Sequence, residues 1–276
     1  MIKTLVSLNA DLASSIAFQY SCRLKQFVDM NLRVIHVEEV EGHPPGSGWV
    51  RSTWERGLIH TAREEISQLI NAGQPSCPPL DAQIFRVGER DNELLHEIEE
   101  ESYELFVEGI LNSFNSVNFF EKLRSRLYRY APCPIVLVKN LADPDRIALL
   151  IRDSMDLAPL ISTFLRVFRK SKLTIDLIHF TFQRSWRTGF RGRIGDSSIP
   201  GHENADKIFE NARTMLTEKG WDLKEGWILQ DIPERLGEFL EDYGLVAACL
   251  PRNPAQNNRI IEMLSRVPTA TLLCRR

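Results

Sequence analysis

The chain has 276 residues, 43% of them apolar and 26% charged. That balance belongs to a folded globular protein and excludes disordered, collagenous and disulfide-scaffold classes, and the length suits one large or two moderate domains. Thirty-four Lys and Arg against 37 Asp and Glu leave a net charge of −3, which removes any whole-chain attraction to nucleic acid or an anionic membrane surface.

Five cysteines (Cys22, Cys77, Cys133, Cys249, Cys274) are scattered without a CxxC pair. This spacing indicates neither a disulfide framework nor a zinc site and fits a reducing cytoplasm. Asn9 and Asp11 interrupt the early apolar run before it reaches signal-peptide length. No stretch approaches the ~18 consecutive apolar residues of a membrane span. The expectation is a soluble, unprocessed, cytoplasmic protein.

Ile2 to Leu8 is a short β-rich run, and Asn9 to Ser15 carries turn and helix-capping chemistry. An amphipathic stretch runs on to about Asp29, and Leu32 to Val40 reads as the second strand. A Gly/Pro/Trp segment, Glu41 to Gly57, precedes a helix from about Leu58 to Asn71. The first half closes with strand Ala82–Val87, helix Asp91–Glu101, strand Tyr103–Val107, helix Asn118–Tyr130 and strand Pro134–Val138. Strands alternating with helices predict a mainly parallel sheet covered on both faces.

The second half retraces that order. Arg146–Arg152 answers the first strand, Asp153–Asp156 the turn after it, and Leu173–Phe180 the second strand, down to an Ile-His pair at Ile35-His36 and Ile178-His179. Gly226–Val246 answers Phe85–Val107, and Arg259–Val267 with Thr269–Cys274 answers the last helix and strand. The join, Asn140–Asp145, is short and holds Pro144, which stops a continuing strand. The expected architecture is therefore two tandem αβα sandwiches, residues 1–142 and 143–276, each with a five-stranded mainly parallel sheet, related by a pseudo-two-fold axis. Pairing of the two final strands would cover their exposed edges.

The segments RVGERDNELLHEIEEESYELFVEG and RSRLYRYAPCPIVLVK, with the Ala131-Pro-Cys-Pro134 stop, resemble the universal stress protein family, and the likeness spans nearly the whole chain as two copies. The resemblance implies an adenine nucleotide alpha hydrolase-like fold and a nucleotide site in those members that carry a glycine pattern after the fourth strand. Glycines there let backbone N–H groups approach phosphate oxygens. Gly109 matches the first glycine, but Asn112 stands at the second and Glu121-Lys122 at the final Gly-Ser step. The second copy has no glycine between Cys249 and Asn258, and Asn257-Asn258 fill its Gly-Ser positions. The family's first-strand aspartate falls on Asn9 in the first copy and on Arg152 or Asp153 in the second. This implies the branch without ATP binding or a site remodelled for another ligand. Were a nucleotide (ATP or AMP) to bind, its contacts by position would be Asn9, Val37, Gly109 and Asn112, with Asp153, Phe180 and Asn258 in the second copy.

Two loops after a second strand, Glu41–Gly57 and Gln183–Gly201, are rich in Gly, Trp and Arg without apolar periodicity. Trp49, Trp54, Trp186, Arg187 and Arg191 are of the types enriched at interface hot spots, so these loops are candidates for partner recognition, against lids folded over the sheet. The Arg-Trp-Phe mixture of 183–194 also suits phosphate or single-stranded nucleic acid, although a solvated loop is the commoner reading and the net charge counts against nucleic acid. His36 and His179 lack ligand-spaced partners and read as structural, Glu97, Glu99, Glu100 and Glu101 as a solvated acidic face, and Cys133 as a packed thiol. GxSxG and GxxxxGK[ST] are absent.

The functional expectation is a non-enzymatic, cytoplasmic tandem stress protein without cofactor or metal, acting by binding an unidentified partner protein or small ligand. It would hold its two domains as an intramolecular pair and could form a homodimer. The rivals are an adenine-nucleotide sensor, or slow nucleotide hydrolase, using the crevice at the carboxyl ends of the strands, and, more weakly, a nucleic-acid module.

Overall fold

The structure is a computed structural model that describes residues 1–40, 47–73, 77, 80–111, 116–153, 155–169, 171, 173–183, 189–194, 202–250 and 258–275. It divides into two compact units, Met1–Leu111 with Lys122–Leu141, and Ala142–Arg276 with Asn112–Glu121.

In the first unit the elements are β1 (Ile2–Ser7), α1 (Leu12–Leu24), β2 (Met30–Glu38), α2 (Trp49–Gly73), β3 (Ala82–Val87), α3 (Arg90–Glu100), β4 (Leu105–Gly109), the end of α4 (Ser116–Arg124) from Lys122 onward, α5 (Arg126–Tyr130) and β5 (Ile135–Val138). Their strand order is β3-β2-β1-β4-β5, and every pairing is parallel. The β1, β4 and β5 strands are buried on both sides because helices cover both. Right-handed crossovers place α1 and α2 on one face and the helices after β3 on the other.

The order reverses between β1 and β4, since the chain steps outward through β2 and β3 and then returns to the other side of β1. Helices leave the strand ends in opposite directions at that point, which opens a crevice above the carboxyl ends.

The second unit holds β6 (Arg146–Ile151), α6 (Ala158–Phe168), β7 (Thr174–Phe182), β8 (Phe190–Arg193), α7 (His202–Thr217), β9 (Leu223–Asp231), α8 (Pro233–Phe239), a 3₁₀ turn (Leu240–Asp242), β10 (Leu245–Leu250), α9 (Arg259–Arg266) and β11 (Ala270–Arg275). Its order is β11-β10-β6-β7-β9-β8, five parallel strands plus β8, which pairs antiparallel with β9. The sixth strand corrects the expected five. Its four residues lack an alternating apolar pattern, and Phe190 and Ile194 gain burial by packing on Ala205 and Ile228.

Strand register proves the repeat residue by residue. Thr4 pairs with Leu32 and Leu105, and Ile147 pairs with Ile175 and Leu245. It follows that Lys3 and Arg146, His36 and His179, Tyr103 and Tyr243, and Glu108 and Ala248 are equivalent. Lys3 lies 4.9 Å from the Tyr103 ring centroid and Arg146 lies 4.5 Å from that of Tyr243, so both units repeat a cation over a tyrosine at the foot of the sheet.

Three expectations need correction. The helix expected from Leu58 begins at Trp49, with Arg51 and Glu55 paired at 2.8 Å across one turn. Glu97 is buried rather than solvated, because Arg86 Nη2 pairs with it at 2.7 Å and the Tyr103 hydroxyl donates to it at 3.2 Å. Cys22 on α1 is joined to Cys77 in a disulfide, with Cα atoms 4.8 Å apart; Cys133, Cys249 and Cys274 are buried and not disulfide-bonded. Among the described residues no helix is long and apolar enough to cross a membrane.

Candidate functional site

The crevice of the first unit is a cavity of about 330 Å³, lined by Ser7, Asn9, Asp11 and Ser14 from β1 and the start of α1, Glu108 and Gly109 from β4, and Arg90 and Lys122. Its backbone is drawn tight. A Cβ at Gly109 would lie 1.9 Å from the Ala13 carbonyl oxygen, so this glycine is required for β4 to pass under the first turn of α1. Gly109→Ala is expected to cost about 1–3 kcal/mol through overpacking, read as a lower denaturation midpoint in urea. Asp11 caps α1, accepting from the Ser14 amide at 2.7 Å, and the Asn9 amide donates to Ser14 Oγ at 2.9 Å. The positive end of that helix therefore already faces a carboxylate of its own chain.

Glu108 forms the centre of the site. It points inward from the last turn of β4 and is 4% exposed, a position where an unpaired carboxylate would be strongly disfavoured. Lys122 Nζ on α4 donates to Oε1 at 2.7 Å, the Arg90 guanidinium also donates to Oε1, and the Tyr128 hydroxyl donates to Oε2. Arg90 is held further by Ser7 Oγ at 3.0 Å. Burial works to raise the Glu108 pKa, but Arg90 and Lys122 outweigh it and hold the carboxyl below its ordinary range. Burial, reinforced by Glu108, pushes the Tyr128 hydroxyl well up.

The sequence-predicted residues divide across the molecule. Asn9 and Gly109 line the crevice. Val37 is buried in β2, while Asn112 lies outside the described residues. Glu121, which the glycine pattern places in the phosphate cradle, is exposed and not among the lining residues; the carboxylates that line the crevice are Asp11 and Glu108. In the second unit Asp153 pairs with His179 at 3.0 Å, Phe180 meets Phe182 edge-on at 5.3 Å between centroids, and Asn258 caps α9 by accepting from the Ile260 amide at 2.9 Å. His36 is tied to the Leu8 carbonyl at 2.8 Å and to Glu38 at 3.0 Å. Among the described residues no group of His, Cys, Asp and Glu could hold a metal ion.

Of the candidate partner-binding residues, Trp186 and Arg187 lie outside the described residues. Trp49 projects from α2 at 79% exposure, and Trp54 on the same helix is half-buried. Arg191 is not on a loop but on β8, 4.0 Å from the Phe239 ring centroid and 4.8 Å from that of Trp227, so it is engaged in holding the edge strand to the unit.

Sequence reasoning missed Arg90, Glu108, Lys122 and Tyr128. The available signal was Glu108 itself, a charge closing the apolar run Leu105–Val107. By register its counterpart is Ala248, and Arg90 answers Pro233, so this charged pair belongs to the first unit alone.

No protein-family model and no curated protein matches the chain. Solved structures do. A universal stress protein from Archaeoglobus fulgidus DSM 4304 matches over 100% of this chain and 96% of its own, at 14% identity and a TM-score of 0.63. A functionally unknown protein from Pseudomonas aeruginosa PAO1 follows, over 100% and 92%, at 14% identity and TM-score 0.58. A candidate universal stress protein from Pseudomonas aeruginosa UCBPP-PA14 matches over 99% and 93%, at 14% identity and TM-score 0.56. With the residue-by-residue repeat and the strand order of the first unit, these similarities establish that the chain carries the universal stress protein fold in two tandem copies.

Proposed function

We propose that the chain is a non-enzymatic stress-response protein that acts by binding a partner protein or small ligand, and that the crevice of its first unit does not take ATP. The observation that carries this reading is Glu108. A phosphate entering the crevice competes for Arg90 and Lys122 with a carboxylate that already holds both. Displacing that carboxylate strands a buried charge, at several kcal/mol per ion. Leaving it in place sets a second anion beside it.

The non-enzymatic part of the reading is supported by the sequence, in which neither GxSxG nor GxxxxGK[ST] occurs. The cytoplasm is the compartment of this reading, and the Cys22–Cys77 disulfide, of a kind rare in that compartment, counts against it.

Calorimetric titration of the full chain with MgATP tests it. The expected result is a Kd weaker than about 1 mM. Micromolar ATP binding that Asn9→Ala and Lys122→Ala weaken would replace this reading with that of an adenine-nucleotide sensor.

A further inference from the structure

A second concavity lies on the opposite side of α3 from the sheet, between α3 and α5 of the first unit. Its volume is about 960 Å³, at the top of the range for small-molecule sites, and it runs open along the helices. Asn92, Leu95, His96 and Glu99 follow one another at helical spacing along the α3 wall, with buried Leu95 as the floor. The other wall is Arg124, Arg126, Arg129 and Tyr130, all exposed.

The two walls are fixed to each other before any ligand arrives. The Leu127 amide at the start of α5 donates to Asp91 Oδ2 on α3 at 3.0 Å, and Leu94, Leu95 and Leu127 are buried beneath. Tyr128 anchors the same turn inward on Glu108. This leaves Arg126, Arg129 and Tyr130 facing outward from a rigid turn. Neither Arg126 nor Arg129 makes an ion pair with the described residues, and Arg129 lies over the Tyr130 ring, 5.5 Å from its centroid. Guanidinium groups present a planar fork suited to carboxylates, and Arg and Tyr are both residue types enriched where interfaces are anchored.

Charge is divided across the groove, which decides among occupants. Three arginines line one wall, while Glu99 lines the other and Glu100 neighbours it, within 3.5 Å of His96. Nucleic acid draws its affinity from an evenly charged phosphate backbone, which the acidic wall would repel. An extended polypeptide fits both walls, with side-chain carboxylates on the arginines and backbone N–H groups toward Asn92 and Glu99.

We propose that the groove between α3 and α5 docks a segment of a partner protein that carries neighbouring carboxylates, with Arg126, Arg129 and Tyr130 as its anchors. This deepens the partner-binding part of the reading above and rests on it, and it adds the α3–α5 face to the two insertion segments as a recognition surface.

Fluorescence anisotropy with a fluorescein-labelled peptide of alternating Glu and Ser tests the proposal on the full chain. Its comparison probes are the same peptide with Gln for Glu and a labelled oligouridine of equal length. The proteins are wild type, Arg126→Glu with Arg129→Glu, and a charge-matched control, Lys207→Glu with Lys219→Glu, at exposed positions of the second unit. Thermal unfolding checks each, and Tyr130→Ala provides a variant without charge reversal.

The expected result is saturable binding of the Glu peptide by wild type and control, lost by about tenfold or more in the groove variant and weakened by Tyr130→Ala. The Gln peptide and oligouridine should bind at least about tenfold more weakly. No saturable binding by wild type, equal losses in groove and control variants, or tighter binding of oligouridine would each overturn it. Failure here is distinct from failure of the ATP reading, since MgATP heats report the crevice and leave the peptide result unchanged.

Discussion

Glu108→Gln is expected to destabilise the first unit by about 3–5 kcal/mol, the range for breaking a buried ion pair by removing one partner. The amide keeps the shape but leaves the Arg90 and Lys122 charges facing a neutral group where Glu108 and Arg90 are largely buried. Hydrogen exchange at the β4 amides, Leu105–Gly109, resolves this unit from the other and should show the loss there first. A second substitution, Arg90→Met, should restore part of it, because it removes one of the two stranded cations and leaves only the more exposed Lys122. If Glu108→Gln leaves β4 protection at wild-type levels, the carboxylate is not the anchor described above.

The same group sets an acid limit. Its carboxyl titrates lower folded than unfolded, so the unfolded chain binds its proton first as pH falls. The stability Glu108 confers is full above the ordinary carboxylate pKa of about 4.3 and is lost as pH drops through the depressed folded value. Glu108→Gln should flatten this acid limb, and a limb of unchanged steepness would assign it to other carboxylates.

Reduction of Cys22–Cys77 is the second large effect. The bond closes a loop of 55 residues that contains β2 and α2, and constraint of the unfolded chain by a loop of that length contributes about 4 kcal/mol. Cys77→Ser should lower the melting temperature to that of the reduced wild type, and added reductant should not lower it again. Thiol titration of the unreduced, denatured protein should count three thiols, Cys133, Cys249 and Cys274. A count of five would show the pair open in solution and remove the predicted shift.

The sheet was legible in the sequence wherever strand burial left an apolar run. β5 and β6 are cases, and the repeat told which runs correspond. β8 was hidden because Phe-Arg-Gly-Arg reads as loop chemistry, and its pairing depends on β9, far along the chain. The start of α2 was hidden for a related reason: Trp49 and Val50 are exposed, so no apolar face marks its first turn. The disulfide could not be read from spacing, since contact between residues 55 apart is a property of the folded chain. At the site, Gly109 was identified by motif, but its reason proved to be the approach of Ala13. Arg90, Lys122 and Tyr128 meet Glu108 from separate elements, and nothing local in the sequence joins them.

The substitution of Ala248 for Glu108 and Pro233 for Arg90 bears on stoichiometry. Duplicated units with intact sites would bind two equivalents of a ligand per chain. Here the feet of both sheets keep the same cation and tyrosine, while the charged crevice survives in one. Any small ligand that recognises Arg90 and Lys122 should therefore saturate at one equivalent per chain, and the second copy is free to diverge as scaffold.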